Sequence, residues 1–167
     1  SEVRIASYQA VSGAGKAALA EFFSQNRRLS GRLKNGVRAP IAPNPSSLAL
    51  PQAIAFNVFP QVGSFDKDGH SSEETKVAKE LRKIWNAPSL RVSVTAVRVP
   101  VIRGHSLSAW VSFKKPLAAS RAQALLAKAP GLKLFKGSLY PTPLSSAGRW
   151  PVYAGRVRAG VDGNEIC

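Results

Sequence analysis

The sequence of 167 residues is poor in sulfur. It contains no methionine, and its one cysteine is Cys167, the final residue. A single thiol excludes an internal disulfide framework and a zinc site built from several thiolates, so we predict no metal site. No apolar run approaches the roughly 18 residues that a membrane-spanning helix needs, so we predict no membrane partner. The lack of an initiating methionine predicts a processed or excerpted chain, and the N-terminus has no signal-peptide pattern.

Acidic side chains are also scarce. Nine Asp and Glu stand against 24 Lys and Arg, which gives a formal net charge of +15. No acid lies between Glu80 and Asp162, an interval with 14 basic residues. Two interpretations are open: a basic domain with solvated lysines, or a domain that contacts the phosphate backbone of a polyanion, foremost RNA. The candidate RNA contacts are basic residues of the second half: Arg103, Lys114, Lys115, Arg121, Lys128, Lys133, Lys136, Arg149, Arg156 and Arg158.

Hydrophobic periodicity predicts an α+β domain over residues 1–167. Hydrophobic residues make up 44% of the chain, and a chain of this size buries roughly 70% of its unfolded surface, enough for one core. Alternating or apolar runs predict strands at 3–8, 54–58, 90–101, 107–113, 132–135 and 152–157. Helical spacing predicts helices at 16–25, 72–85 and 118–129. Residues 27–51, rich in Gly, Pro and Ser, predict a long loop, and 159–167 a truncated tail.

Several motifs occur in the order that they have in aspartate-semialdehyde dehydrogenases. They are SYQAVSGAG at 7–15, AFNVFPQ at 55–61, EETK through ELRKIW at 73–85, VRVPV with GHS at 97–106, YPTPL at 140–144 and GRVR at 155–158. Together they cover nearly the whole chain. The sequence therefore resembles the C-terminal substrate and dimerisation domain of that family, most closely in its plant and algal versions.

The resemblance implies a fold and a set of site residues. The fold would be a mixed β-sheet with helices on one face, which pairs with its twin. Gln9 would help to position the acyl-enzyme, and Arg98 would hold the substrate carboxylate, as a bidentate guanidinium suits. His105 would be the general acid/base that serves a cysteine nucleophile. Glu73 would contact the substrate amino group and Lys76 the phosphate. Without the family, the same residues are typical of ordinary strand, surface and loop positions.

Two parts of the family's machinery are missing from these residues. The family's nucleophilic cysteine lies upstream of the strand that holds Gln9, and Cys167 is at the wrong end. No G-x-G-x-x-G or related dinucleotide fingerprint occurs. Without a thiolate there is no thioester, and without the nucleotide fold there is no hydride acceptor. We therefore predict no activity and no cofactor for this chain alone, with NADP bound only if the missing domain is supplied.

Two hypotheses follow. The favoured prediction is a non-enzymatic, repurposed domain: a structural, RNA-contacting subunit of a large assembly, most concretely an organellar ribosome. Bases such as Lys115 and Lys136 stand where the family usually carries acids. The partners would be rRNA and neighbouring subunits, with a homodimer as a further option. The location would be mitochondrial, in preference to plastid or cytoplasm. The alternative is a fragment or subunit of an NADP-dependent aspartate-semialdehyde dehydrogenase, which the retention of Gln9, Arg98 and His105 favours.

Overall fold

A four-stranded mixed sheet forms the centre of the molecule. The computed structural model describes residues 1–33 and 49–167. Within them, the strands of this sheet are β1 (Glu2–Gln9), β2 (Arg91–Arg98), β3 (Ser106–Ser112) and β6 (Glu165–Ile166), in the order β2-β1-β3-β6. β1 runs parallel to β2 and antiparallel to β3. Alternation along β1 buries Val3, Ser7 and Gln9 on one face, as the pleat requires. The predicted α+β class with a mixed sheet is confirmed.

A short 3-10 helix (Val11–Ala14) and the long helix α1 (Gly15–Leu33) follow β1. The core cluster lies between them and the segment around residue 54; it contains Val11, Ala18, Phe22, Leu50, Ile54 and Phe59. The sequence predicted a helix only over 16–25 and a loop from 27. That loop prediction is wrong as far as Leu33, because Leu29 is buried and continues the apolar stripe of the helix. Residues 34–48 lie outside the described residues.

The strand predicted at 54–58 is absent. Ile54 and Ala55 are buried, but the backbone turns at Phe56, whose φ is 57°. The buried side-chain oxygen of Gln25 accepts hydrogen bonds from the N–H groups of Ile54 at 2.9 Å and Ala55 at 3.0 Å. These peptide groups are thus satisfied without a neighbouring strand. The apolar run fills the core, and only Phe59 makes a bridge to the sheet, at Arg98.

Helix α2 (Ser72–Ile84) confirms the prediction at 72–85 to within one residue. Ser71 and Glu74 form a capping box at its start, with the Ser71 N–H donating to Glu74 Oε2 at 2.7 Å. The other Glu74 oxygen accepts from the Ala96 N–H at 2.8 Å. This carboxylate therefore fixes the helix start and ties it to β2.

The remaining elements are short. They are α3 (Ala119–Leu126), β4 (Leu132–Leu134), α4 (Pro143–Ser146) and β5 (Val152–Ala154), with β4 and β5 paired in parallel. The helix α4, which the sequence did not predict, packs beside Gly104: a Cβ there would lie 3.4 Å from the Cα of Pro143.

The C-terminal residues, which the sequence predicts to be a truncated tail, contribute a short strand to the sheet. Glu165 and Ile166 form β6 at the edge of the sheet. The Glu165 side chain is buried and bonded to Arg4 of β1. Within residues 1–33 and 49–167, no helix combines the length and hydropathy that crossing a bilayer requires.

Candidate functional site

The candidate site lies at the carboxyl ends of β1 and β2. Because these strands are parallel neighbours, their last residues, Gln9 and Arg98, stand opposite each other in the register. The chain then continues from β1 into the 3-10 helix, and from β2 toward the loop that carries His105 just before β3. Two distant parts of the sequence thus deliver side chains to one edge of the sheet.

The main chain of Ala10 organises two of these side chains. Its N–H donates to His105 Nδ1 at 3.1 Å. Its carbonyl oxygen accepts from a terminal nitrogen of Arg98 at 2.7 Å, and from the Gly13 N–H at 3.3 Å. Ala10 is fully buried, which holds this peptide in place. One residue therefore fixes the guanidinium and the imidazole relative to each other.

Arg98 is a buried cation with a free donor. Its side chain is 5% exposed, and among the described residues its Nε is the buried side-chain polar atom that has no hydrogen-bond partner. Burial lowers the pKa of Arg98, while the charge of Glu73 opposes that change. A buried donor without a partner costs free energy until an acceptor fills the place. The site is therefore suited to an anionic ligand such as a carboxylate.

Glu73 and Lys76 add a charged pair from the first turns of α2. Lys76 Nζ lies 2.9 Å from Glu73 Oε2, and Gln9 Nε2 donates to Glu73 Oε1 at 3.3 Å. Burial on its own raises the pKa of Glu73, but the hydrogen bonds from Lys76 and Gln9 and the charges of Lys76 and His105 outweigh it, so the pKa is lowered. The hydrogen bond and charge of Glu73 raise the pKa of Lys76. Both side chains are thus charged at neutral pH.

His105 is held as a neutral ring. Desolvation lowers its pKa first, and the charge of Arg98 lowers it further; Glu73 opposes these effects and Lys76 adds to them. Since Nδ1 accepts the Ala10 N–H, the neutral ring carries its proton on Nε2. The site therefore presents a hydrogen-bond donor on the imidazole beside a cationic guanidinium.

The structure brings together all five residues that the resemblance assigned to the site: Gln9, Glu73, Lys76, Arg98 and His105. Sequence reasoning missed the contribution of Ala10, because its part is played by main-chain atoms. Among the described residues no group of three or more His, Cys, Asp and Glu is placed to hold a metal ion. The ten basic residues predicted to contact RNA are exposed, and they are spread over several loops and short elements.

Comparisons with known proteins identify relatives along the whole chain. The family described as "Semialdehyde dehydrogenase, dimerisation domain" matches residues 1–167. The aspartate-semialdehyde dehydrogenase of Legionella pneumophila is 44% identical over 163 residues, which is 95% of this chain and 44% of that protein. The enzyme of the same name from Streptomyces akiyoshiensis is 44% identical over 160 residues. The chain spans less than half the length of these relatives.

Solved structures agree. The crystal structure of aspartate semialdehyde dehydrogenase II from Vibrio cholerae matches with a TM-score of 0.87 and 35% identity, covering 99% of this chain and 47% of that one. The same protein complexed with ASA matches with the same TM-score. The family model that matches residues 1–167 describes the dimerisation domain of these enzymes and not a nucleotide-binding domain.

These findings overturn the favoured functional prediction. Relatives that match 95% of the chain are named as aspartate-semialdehyde dehydrogenases. The predictions of a ribosomal subunit, of RNA as partner and of a pseudoenzyme are therefore wrong, and the mitochondrial location loses its support. The error came from the charge: an excess of Lys and Arg implies attraction to any polyanion, but it does not identify a function without a binding surface built for it.

Proposed function

We propose that this chain, which belongs to the semialdehyde dehydrogenase dimerisation-domain family, is the substrate-binding part of an aspartate-semialdehyde dehydrogenase. The reaction would be the NADP-dependent reductive dephosphorylation of aspartyl phosphate through a cysteine thioester. The nucleophile and the nucleotide-binding fold belong to the part of the relatives that these residues do not match. The observation that carries the proposal is the convergence of Arg98, Glu73, Gln9 and His105 on one edge of the sheet.

Recognition of an amino acid substrate follows from the two opposite charges of the site. The buried guanidinium of Arg98, with its unpartnered Nε, would hold the α-carboxylate. The Glu73 carboxylate would accept hydrogen bonds from the α-ammonium group. Charge-assisted hydrogen bonds of both kinds are roughly twice as strong as neutral ones, and their fixed separation selects a zwitterion.

The neighbouring residues are suited to bind phosphate and to form hydrogen bonds with the acyl group. Lys76 is exposed and positively charged at neutral pH, which suits a phosphate that enters and leaves from solvent. His105 and Gln9 flank the same space. We assign to His105 a hydrogen bond donated to the acyl oxygen, and to Gln9 a hydrogen bond that positions the acyl-enzyme. Residues 1–167 match the dimerisation domain, so no step of hydride transfer is assigned to them.

A chimera tests the proposal. The matching part of the Legionella pneumophila enzyme is replaced by this chain, so that the rest of that enzyme supplies what these residues lack. We expect phosphate-dependent reduction of NADP with aspartate semialdehyde. Replacing Arg98 by Lys should raise KM for the semialdehyde by about 10- to 100-fold, because a charged hydrogen-bond pair worth roughly 1.5–3 kcal/mol is lost.

The exposed Arg103 provides the matched control. Arg103→Lys, the same exchange a few residues along the chain, should leave KM within about twofold of the unchanged chimera. A chimera that is folded and binds NADP but gives no turnover would refute the proposed function.

The family description adds a second part to the proposal, a homodimer. α2 lies on the face of the sheet that carries Gln9, which its Glu73 contacts. Tyr8 and Thr95 alternate with the buried residues of β1 and β2, so they lie on the opposite face, where both are exposed. This open face is proposed as the surface that a second copy covers.

A further inference from the structure

Gly13 stands in contact with the two most important side chains of the site. A Cβ at Gly13 would lie 3.2 Å from Cε1 and 3.3 Å from Nε2 of His105, and 3.6 Å from a terminal nitrogen of Arg98. Distances of 3.0–3.4 Å are tighter than almost all real Cβ contacts, whereas 3.6 Å is ordinary packing. The imidazole therefore occupies space that any other residue at this position would need.

The backbone does not explain this glycine. Gly13 has no positive φ, unlike Gly15 two residues later, whose φ is 90°. An alanine could therefore adopt the backbone conformation of position 13 without strain. What the position requires is the absence of a side chain.

Two contacts thus hold the imidazole. The Ala10 N–H donates to Nδ1 at 3.1 Å, and Cε1 and Nε2 of the ring lie next to Gly13. The two residues belong to one turn, because the Gly13 N–H donates to the Ala10 carbonyl at 3.3 Å. A nitrogen that accepts a backbone N–H cannot itself carry a proton, so the turn also determines which nitrogen is protonated.

We propose that the turn from Ala10 to Gly13 is a positioning element that holds His105 as the tautomer with its proton on Nε2. Gly13 acts through His105 and is a positioning residue. Joined to the proposed function, on which this part rests, the inference means that His105 enters the reaction as a hydrogen-bond donor to the acyl oxygen. A preorganised donor of this kind costs no rearrangement when negative charge develops.

Replacing Gly13 by Ala tests the turn. The methyl group pushes the ring by a few tenths of an ångström, which lengthens the bond from Ala10 and removes the preference for the Nε2–H tautomer. Arg98 keeps its ordinary contact distance, so ligand binding is affected less than the ring. In the chimera, kcat should fall by about tenfold or more while KM changes less than threefold, since one aligned catalytic hydrogen bond is worth that much.

The decisive measurement needs no activity. The chain has two histidines, His70 and His105, so two-bond proton–nitrogen NMR spectra of the ¹⁵N-labelled 167-residue chain resolve both rings, and a His70→Gln variant assigns them. At about pH 8, where a histidine is neutral, His105 should show the pattern of a proton on Nε2. Gly13→Ala should shift it toward a mixture of tautomers.

Gly31→Ala is the matched control, because a Cβ at Gly31 would have no neighbour within 4 Å. Its His105 spectrum should equal that of the unchanged chain. A proton on Nδ1 in the unchanged chain, or a Gly13→Ala spectrum identical to that of Gly31→Ala in a folded protein, would overturn the inference. If Gly13→Ala does not fold, the tautomer of the unchanged chain still decides it. An inactive chimera with the expected spectrum would refute only the proposed function.

Discussion

The pKa values of His105 and Glu73 are both lowered, which favours the neutral form of the histidine and the charged form of the glutamate. For Glu73 a lowered pKa keeps the carboxylate charged, through its bonds to Lys76 and Gln9. For His105 a lowered pKa keeps the ring neutral, through desolvation and the charge of Arg98. The site thus keeps an ion pair on one side and an uncharged donor on the other at neutral pH.

The lowered pKa of His105 predicts a loss of stability on acidification. Between the ordinary pKa of 6.5 and the lower pKa of the folded state, His105 binds a proton in the unfolded chain but not in the folded chain. The free energy of unfolding therefore decreases as pH falls through that window. Urea denaturation between about pH 7.5 and pH 5 should show this slope. The window lies above the ordinary pKa of Glu73, whose effect appears only at lower pH.

A His105→Asn variant should have a flatter pH dependence than the unchanged chain, because the titrating group is removed. His70→Asn serves as the control, since His70 lies in the loop before α2 and outside the candidate site. If His105→Asn and His70→Asn change the slope equally, the ring is not held neutral by the site.

At the residue scale, the sequence predicted the residues whose side chains form the candidate site. Gln9, Arg98 and His105 were identified through the order of family motifs, and they do meet in space. The roles of Ala10 and Gly13 were not predicted, although both lie within a motif that was recognised. The hydrogen bonds of main-chain atoms leave no signal in a single sequence, and a glycine does not reveal which side chain it packs against, so only three-dimensional contacts show these roles.

At the scale of elements, helix α2 depends on one carboxylate. Glu74 is 9% exposed and accepts from two N–H groups, those of Ser71 and Ala96. Replacing Glu74 by Ala leaves both donors without a partner. We expect the free energy of unfolding to fall by about 2–4 kcal/mol, measured by chemical denaturation.

Glu80 is the control on the same helix, because it is exposed. Glu80→Ala should change the free energy of unfolding by less than about 0.5 kcal/mol. Equal losses for the two variants would mean that helix propensity, and not the two hydrogen bonds, explains the effect.

The accuracy of the predicted elements followed the kind of signal they carry. α2 has a capping box and β1 to β3 alternate, so their positions were predicted well. The run at 54–58 is apolar without alternation, a pattern that fits a core segment as well as a strand. The helical residues 27–33 were assigned to a loop because the Gly- and Pro-rich composition of the later segment masked Leu29. β6 has two residues, too few for any periodicity.

At the scale of the whole molecule, the net charge of +15 is expected to oppose self-association. Two copies that meet through the open sheet face repel each other over their whole surfaces. Added salt shortens the range of this repulsion. The dissociation constant of the proposed homodimer should therefore fall severalfold between about 50 and 500 mM NaCl, as measured by sedimentation equilibrium. Dissociation promoted by salt would contradict this account.

A pair of tyrosine variants locates the dimer surface. Tyr8→Arg adds a positive charge to the exposed face of β1, so it should raise the dissociation constant by at least about tenfold, the effect of a like-charge contact in an interface. Tyr140→Arg makes the same change at an exposed tyrosine outside the sheet and should have little effect. Equal behaviour of the two variants would place the dimer surface elsewhere.

The position of β1 in the sheet also has a consequence for synthesis of the protein. β1 is synthesised before its neighbours, because β2 and β3 begin about 90 and 100 residues later, and Glu165, the partner of Arg4, is 161 residues away. Pairings of such high sequence separation form slowly. On the ribosome, β1 remains without its neighbours until β2 and β3 have been translated. Stop codons placed before β2 should therefore leave β1 unpaired and yield insoluble products.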